Sequence, residues 1–198
     1  MDRYMANSLP GLSLPNTLTI SRIALVPVFA VVYVATDTFH WVAALLFAGA
    51  AFTDWLDGYL ARKLEQVTPF GAFLDPVADK LIVVTALVLL IGSHANPWMT
   101  LPGIIIVGRE IVVSALREWM AEMNRRGLVS VSWVGRLKTT VQMVAIIVLL
   151  ANPPEMRPWA IIGLVLLYAA VFLTIWSMIT YGRAAWPTLR DGIGDGNG

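Results

Sequence analysis

The sequence predicts an all-α, polytopic membrane protein with six transmembrane helices and both termini in the cytoplasm. Two compositional observations and one pattern carry that prediction. Of 198 residues, 58% are hydrophobic, with a mean hydropathy of +0.71, where a soluble domain holds about 45–50% apolar residues. Only 14% are charged, against about 25% in soluble proteins. Six apolar runs each approach the roughly 20 residues that a spanning helix needs.

Taken in order, the expected helices cover about 17–36, 40–62, 72–93, 99–122, 133–151 and 158–182. Each break carries turn chemistry. Asp37 closes the first run and Thr68-Pro69 the second. Asn96-Pro97 closes the third, Arg125-Arg126-Gly127 the fourth and Asn152-Pro153-Pro154 the fifth. Trp186-Pro187 is expected to stop the last helix, with a flexible Gly/Asp tail from about 187. Little chain is left over, so residues 1–198 are expected to form one membrane domain.

Several function classes fall away at once. The chain has no cysteine, which removes disulfides, thiolate metal sites and cysteine nucleophiles. A net charge of +1 gives no general basic surface for nucleic acid. The segment up to about Pro15 lacks the basic and apolar regions of a signal peptide, so the first apolar run is expected to be retained. There is no GxxxxGK phosphate loop and no G-x-S-x-G elbow.

Orientation follows from the basic residues. The loops at 36–40, 93–98 and 151–158 contain one, Arg157. The termini and the other loops contain Arg3, Arg62, Lys63, Arg125, Arg126, Arg183 and Arg190. The positive-inside rule places the second group in the cytoplasm. Arg125 and Arg126 read as a topology signal meeting anionic headgroups. Trp41, Trp98, Trp159 and Trp186 fall near expected helix ends, where amphipathic rings favour the interface.

Against this apolar background four aspartates stand out. A charged residue at mid-span costs at least about 2.5–3.5 kcal/mol on insertion scales. Asp54 and Asp57 lie on the second helix, Asp75 and Asp79 on the third, all within 26 residues. At about 100° per residue, Asp54, Asp57, Gly58 and Ala61 share one arc, as do Gly71, Asp75 and Asp79. The helices run in opposite directions. Asp54 and Asp79 then match in depth, each roughly 12 Å from the cytoplasmic turn, with Asp57 and Asp75 shallower.

Carboxylates at that density repel one another unless protons or cations neutralise them. Hard oxygen ligands suit Mg²⁺, Mn²⁺ or Ca²⁺. The small residues beside them, Gly58, Ala61, Gly71, Ala72 and Ala78, admit close helix approach or a ligand. Both histidines, His40 and His94, are expected at the outer surface. By elimination the general base is an aspartate, and the most desolvated one is the natural candidate. A buried polar network that glues helices and an ion or proton pathway are the competing readings. The nearly apolar outer halves of helices 2 and 3 argue against a pathway.

The stretch DWLDGYLARKLEQVTPFGAFLDPVAD, Asp54 to Asp79, resembles the signature of the CDP-alcohol phosphatidyltransferases. Asp54, Asp57, Gly58, Ala61, Arg62, Gly71, Asp75 and Asp79 fill all eight of its fixed positions at the expected spacing. The strings LPNTLTISR, GREIVVSALREWMAE and VSWVGRLKTTVQM are similar to a bacterial branch of that family whose acceptor is sn-glycerol 3-phosphate. The likeness runs from about Leu14 to Tyr181.

The resemblance implies that CDP-diacylglycerol and glycerol 3-phosphate give phosphatidylglycerophosphate and CMP. It also implies a homodimer in the bacterial inner membrane with a cytoplasm-facing site and Mg²⁺ or Mn²⁺ as cofactor. By position, Asp54, Asp57, Asp75 and Asp79 correspond to metal ligands and Asp79 also to the general base. Gly58 and Ala61, with Gly71, correspond to small residues where CDP-diacylglycerol packs, and Arg62 to the signature arginine. Asn16 and Thr19, on one face of the first helix with Arg22, are candidates for nucleotide or phosphate contact, with helix capping as the other role for Asn16. For the acceptor phosphate the candidates are Arg109, Arg117 and Lys138; an internal Arg109–Glu110 pair that positions helices is the competing reading. The signature does not separate glycerol 3-phosphate from serine, inositol phosphate or phosphatidylglycerol as acceptor, because it reads the shared CDP half.

Overall fold

A computed structural model describes residues 14–35, 40–63, 69–122, 133–152, 155 and 157–194. These residues are helical throughout apart from short turns, with no strand among them. The helices are α1 (Leu14–Ala35), α2 (His40–Lys63), α3 (Pro69–His94), α4 (Pro97–Glu122), α5 (Trp133–Ala151) and α6 (Pro158–Gly194). Three meet the length and apolarity of a membrane span: Asn16–Ala35, Pro97–Met120 and Pro158–Thr180. Leu137–Ala151 is a shorter apolar helix.

The helix starts follow local chemistry. Asn96 caps α4, its Oδ1 accepting from the Met99 amide at 3.0 Å. Pro97 then occupies the first helical position, where a missing N–H costs nothing. Just before it, Ala95 takes a left-handed φ of 46° to end α3. Pro158 opens α6 in the same way as Pro97 opens α4.

One expectation is overturned. Pro187 does not stop the last helix: α6 continues through it to Gly194. A proline inside a helix deletes its own amide donor and crowds the carbonyl four residues back, but it does not forbid the residues that follow. The expected flexible tail from 187 is therefore helical up to 194; residues 195–198 lie outside the described residues.

The chain divides into two compact units. The first holds residues 1–93 with 150–154, and so α1, α2 and nearly all of α3. Phe29 on α1 meets Phe47 on α2, ring centroids 6.1 Å apart. Tyr33 Oη and Ser93 Oγ share a hydrogen bond of 2.7 Å between α1 and α3. Thr19 with Asp75, Arg22 with Asp79 and Tyr33 with Ser93 pair residues 56, 57 and 60 positions apart. An offset this constant means that α1 and α3 run parallel, side by side. Large apolar side chains such as Val31, Val34, Leu45 and Phe73 are exposed, as lipid-facing residues would be.

The second unit holds residues 94–149 and 155–198. α4 packs on α6. Lys138, early in α5, bonds Glu110 on α4. Late in α5, Leu149 closes on Gly163 near the start of α6: a Cβ at 163 would sit 2.8 Å from Leu149 Cγ. Glycine is what lets these helices approach so closely.

Candidate active site

The aspartates of the first unit are organised by α1. Asn16, Thr19 and Arg22 recur every three residues, which places them on one helix face, and all three are buried. The Thr19 hydroxyl donates to Asp75 Oδ1 at 2.7 Å. Arg22 Nη1 donates to Asp54 Oδ1 at 2.8 Å and to Asp79 Oδ1 at 2.6 Å. Two carboxylate oxygens that share one nitrogen lie no more than two hydrogen-bond lengths apart. The expected meeting of α2 and α3 aspartates is therefore realised for Asp54 and Asp79.

The Arg22 side chain is 1% exposed, while Asp54 and Asp79 keep 39% and 44%. The guanidinium is fixed from behind and the carboxylates keep an open side. Similar exposure also means that burial does not choose between Asp54 and Asp79 as a base. Pro76 sits between Asp75 and Asp79 in α3, where it removes the amide that would bond the Ala72 carbonyl.

The side chains of Asp57, Gly58, Ala61, Arg62 and Arg117 lie outside the described residues, although their helices do not. Gly71 is buried. His40 begins α2, its ring edge-on to Tyr33, roughly 21 Å of helix rise from Asp54. His94 ends α3, a similar distance from Asp79. Neither histidine serves the carboxylates.

Asp54 and Asp79 supply hard oxygen donors, the chemistry Mg²⁺ and Mn²⁺ favour, and positive charge is already accommodated between them. Among the described residues no group of three or more acidic or histidine side chains is gathered closely enough to hold a metal; the side chain of Asp57 is outside that set. The donor set fits a divalent cation in chemical type, with Asp54 and Asp79 as its nearest pair.

A second polar cluster lies within the other unit. Glu110 Oε1 accepts from Arg109 Nη1 at 2.8 Å and from Lys138 Nζ at 2.9 Å. Arg109 Nη2 also donates to Ser177 Oγ at 3.3 Å. Among the described residues, α4, α5 and α6 thus meet at one carboxylate and two cations. Arg109 and Lys138 are both buried. The Arg109–Glu110 pair read from sequence is present, and it also holds Lys138. On the rest of α4, Ile111, Val112 and Ala115 are exposed and apolar, while Trp119 is half-buried.

Sequence reasoning undervalued four residues. Arg22 was one of three polar residues on a helix face, and only the fold aims it at two aspartates. Ser177, Gln142 and Thr174 are buried polar residues in apolar helices. Their signal was that isolation, since polar groups within a span cost energy and usually serve a purpose.

The CDP-alcohol phosphatidyltransferase family profile matches residues 12–176. A curated relative from Pseudomonas fluorescens, named CDP-diacylglycerol–glycerol-3-phosphate 3-phosphatidyltransferase, is 54% identical over 182 residues, covering 90% of this chain and 93% of its own. Proteins of the same name from Haemophilus influenzae and Escherichia coli K12 are 49% and 48% identical. They cover 91% and 90% of this chain, and 97% and 98% of their own. The family generally depends on a divalent metal. With its signature complete and its match running from before Asn16 to Trp176, this chain belongs to the CDP-alcohol phosphatidyltransferase family.

Proposed function

We propose that this protein transfers the phosphatidyl group of CDP-diacylglycerol to sn-glycerol 3-phosphate, releasing CMP and phosphatidylglycerophosphate. The observation that carries the reading is the convergence of Asp54 and Asp79, from separate helices, on one guanidinium nitrogen within a complete family signature. Relatives named for this reaction, 48–54% identical over about nine-tenths of the chain, support the choice of acceptor.

In this reading Asp54, Asp57, Asp75 and Asp79 hold Mg²⁺ or Mn²⁺, which when bound neutralises charge on the diphosphate oxygens. Arg22 and Thr19 keep the carboxylates in register. Gly58, Ala61 and Gly71 leave room for the CDP moiety. Arg62 supports its diphosphate, and Asn16 and Thr19 line the α1 side. Arg109, Arg117 and Lys138 bind the phosphate of the acceptor, with Glu110 holding two of the three cations in place.

Asp79 takes the proton from the 1-hydroxyl of glycerol 3-phosphate. The oxygen forms its bond to the lipid-side phosphorus in line, and the bond to CMP breaks, the electron pair leaving with CMP. The base role of Asp79 rests on its place in the signature, since exposure does not distinguish it from Asp54.

The same reading has all six helices crossing the inner membrane as one domain and a homodimer, with both termini and the aspartates on the cytoplasmic side. The basic residues near 62–63 and 125–126 and three helices of spanning length support it. Purified protein with CDP-diacylglycerol, Mg²⁺ or Mn²⁺ and a panel of acceptors tests it through CMP release. Release with glycerol 3-phosphate is expected. Release only with serine or inositol phosphate would overturn the acceptor, and ion flux in liposomes without any release would overturn the enzyme.

A further inference from the structure

The helical hydroxyls of this protein mostly satisfy themselves. Thr53, Thr139, Thr180 and Ser114 each donate to the carbonyl four residues back in their own helix. Thr174 on α6 does not. Its side chain is fully buried, and its Oγ1 has no hydrogen-bond partner among the described residues. Its carbonyl is engaged by Ser177 Oγ at 3.1 Å. Gln142 on α5 is 3% exposed, and its Oε1 likewise has no donor. A third such atom is Arg109 Nε, on a guanidinium whose other nitrogens reach Glu110 and Ser177. A buried polar group left without a hydrogen-bond partner is costly, so these three, on α4, α5 and α6, call for one.

Their placement names that partner. Gln142 follows Lys138 by one turn on the same face of α5, and Thr174 precedes Ser177 by one turn on the same face of α6. The Glu110–Lys138 and Arg109–Ser177 bonds lie early in α5 and midway along α6, while Leu149 and Gly163 meet late in α5 and early in α6. The two helices therefore run antiparallel. The steps from Lys138 to Gln142 and from Ser177 to Thr174 lead the same way, toward the Leu149–Gly163 contact. Both unsatisfied groups thus lie about one turn to the same side of the Arg109–Lys138 cations. Arg109 Nε is a donor suited to an anion, Gln142 Oε1 an acceptor, and Thr174 Oγ1 either.

We infer that Gln142 and Thr174 are specificity-determining residues that bind the free hydroxyl of a hydroxyalkyl phosphate whose phosphate is held by Arg109 and Lys138. The inference rests on the reading of Arg109 and Lys138 as acceptor-phosphate ligands and adds which part of the acceptor is recognised. The hydroxyl donates to Gln142 Oε1 and accepts from Thr174 Oγ1. A phosphate ester lacking that hydroxyl leaves both groups unsatisfied, and such a site rejects it strongly.

The test compares glycerol 3-phosphate with 3-hydroxypropyl phosphate, which keeps the attacking primary hydroxyl and the phosphate and lacks only the 2-hydroxyl. CMP release is measured for wild type, Gln142→Leu and Thr174→Val in the full-length protein. Wild type is expected to favour glycerol 3-phosphate by at least about tenfold in kcat/KM. Each substitution is expected to remove most of that preference by lowering kcat/KM for glycerol 3-phosphate while sparing 3-hydroxypropyl phosphate. Equal losses with both acceptors, or a preference unchanged in both variants, would overturn the hydroxyl site and leave the phosphate-binding reading standing. A wild type inactive with glycerol 3-phosphate but active with other acceptors would overturn that reading and this inference together. Gln142→Glu, which keeps an acceptor oxygen and the side-chain shape, is a second variant should Gln142→Leu not fold; it is expected to retain the preference, and its loss there would also overturn the proposal.

Discussion

Arg22 donates to Asp79 across 2.6 Å from a side chain that is 1% exposed, so a residue of the first helix fixes an aspartate of the third. The same nitrogen holds Asp54, and one guanidinium thereby ties three helices at the point where the carboxylates meet. A buried cation behind partly open carboxylates orders them on one side and leaves the other for ligands.

Replacing that cation tests the arrangement. Arg22→Met is expected to reduce turnover by at least about tenfold and stability by about 1–2 kcal/mol. The stability figure is kept below the range for fully buried pairs because solvent reaches the two carboxylates. Arg22→Lys, which keeps the charge and loses the planar fork, is expected to fall between. Thermal unfolding in detergent and CMP release read the two effects; a fully active, fully stable Arg22→Met protein would remove Arg22 from the site.

Asp79→Asn separates base from scaffold. The amide oxygen still accepts from Arg22, so the fold and CDP-diacylglycerol binding are expected to persist. Turnover should drop by about 10²–10⁴, the usual worth of a positioned base. Near-normal turnover in a folded protein would assign the proton to another group.

Chelation addresses the carboxylates as a set. Treatment with excess EDTA is expected to stop CMP release, and Mg²⁺ or Mn²⁺ to restore it. Activity that survives exhaustive chelation would mean that the aspartates work without a divalent ion.

Glu110 accepts from both Arg109 and Lys138. Glu110→Gln keeps the shape and removes the counter-charge, leaving two buried cations to repel each other. A loss of about 1–3 kcal/mol is expected in thermal unfolding. KM for glycerol 3-phosphate should change while KM for CDP-diacylglycerol does not. Equal changes in both constants would indicate a general structural role.

Gly163 permits the Leu149 contact, since a Cβ there would fall 2.8 Å from Leu149 Cγ. Gly163→Val is expected to force α5 and α6 apart or Leu149 off its rotamer, at about 1–3 kcal/mol. Melting of the Gly163→Val protein, and its recovery in a Gly163→Val/Leu149→Ala double variant, would locate the clash.

The sequence by itself determined the helices and the choice of charged residues within them. Apolar runs and the Asn96-Pro97 break set α3 and α4 to within a few residues, because caps and hydrophobic length act locally. Aspartates in an apolar background were legible for the same reason: their insertion cost makes each conspicuous without any knowledge of its neighbours. Local reasoning failed at Pro187, where one missing amide did not outweigh the helix that continues beyond it. Only the tertiary structure decided which groups meet. That Arg22 bridges Asp54 and Asp79, that Glu110 holds Lys138 as well as Arg109, and that the Thr174 hydroxyl is buried without a partner among the described residues depend on how helices far apart in the chain are placed. Periodicity gives each residue a face, but the partner of that face is fixed by packing.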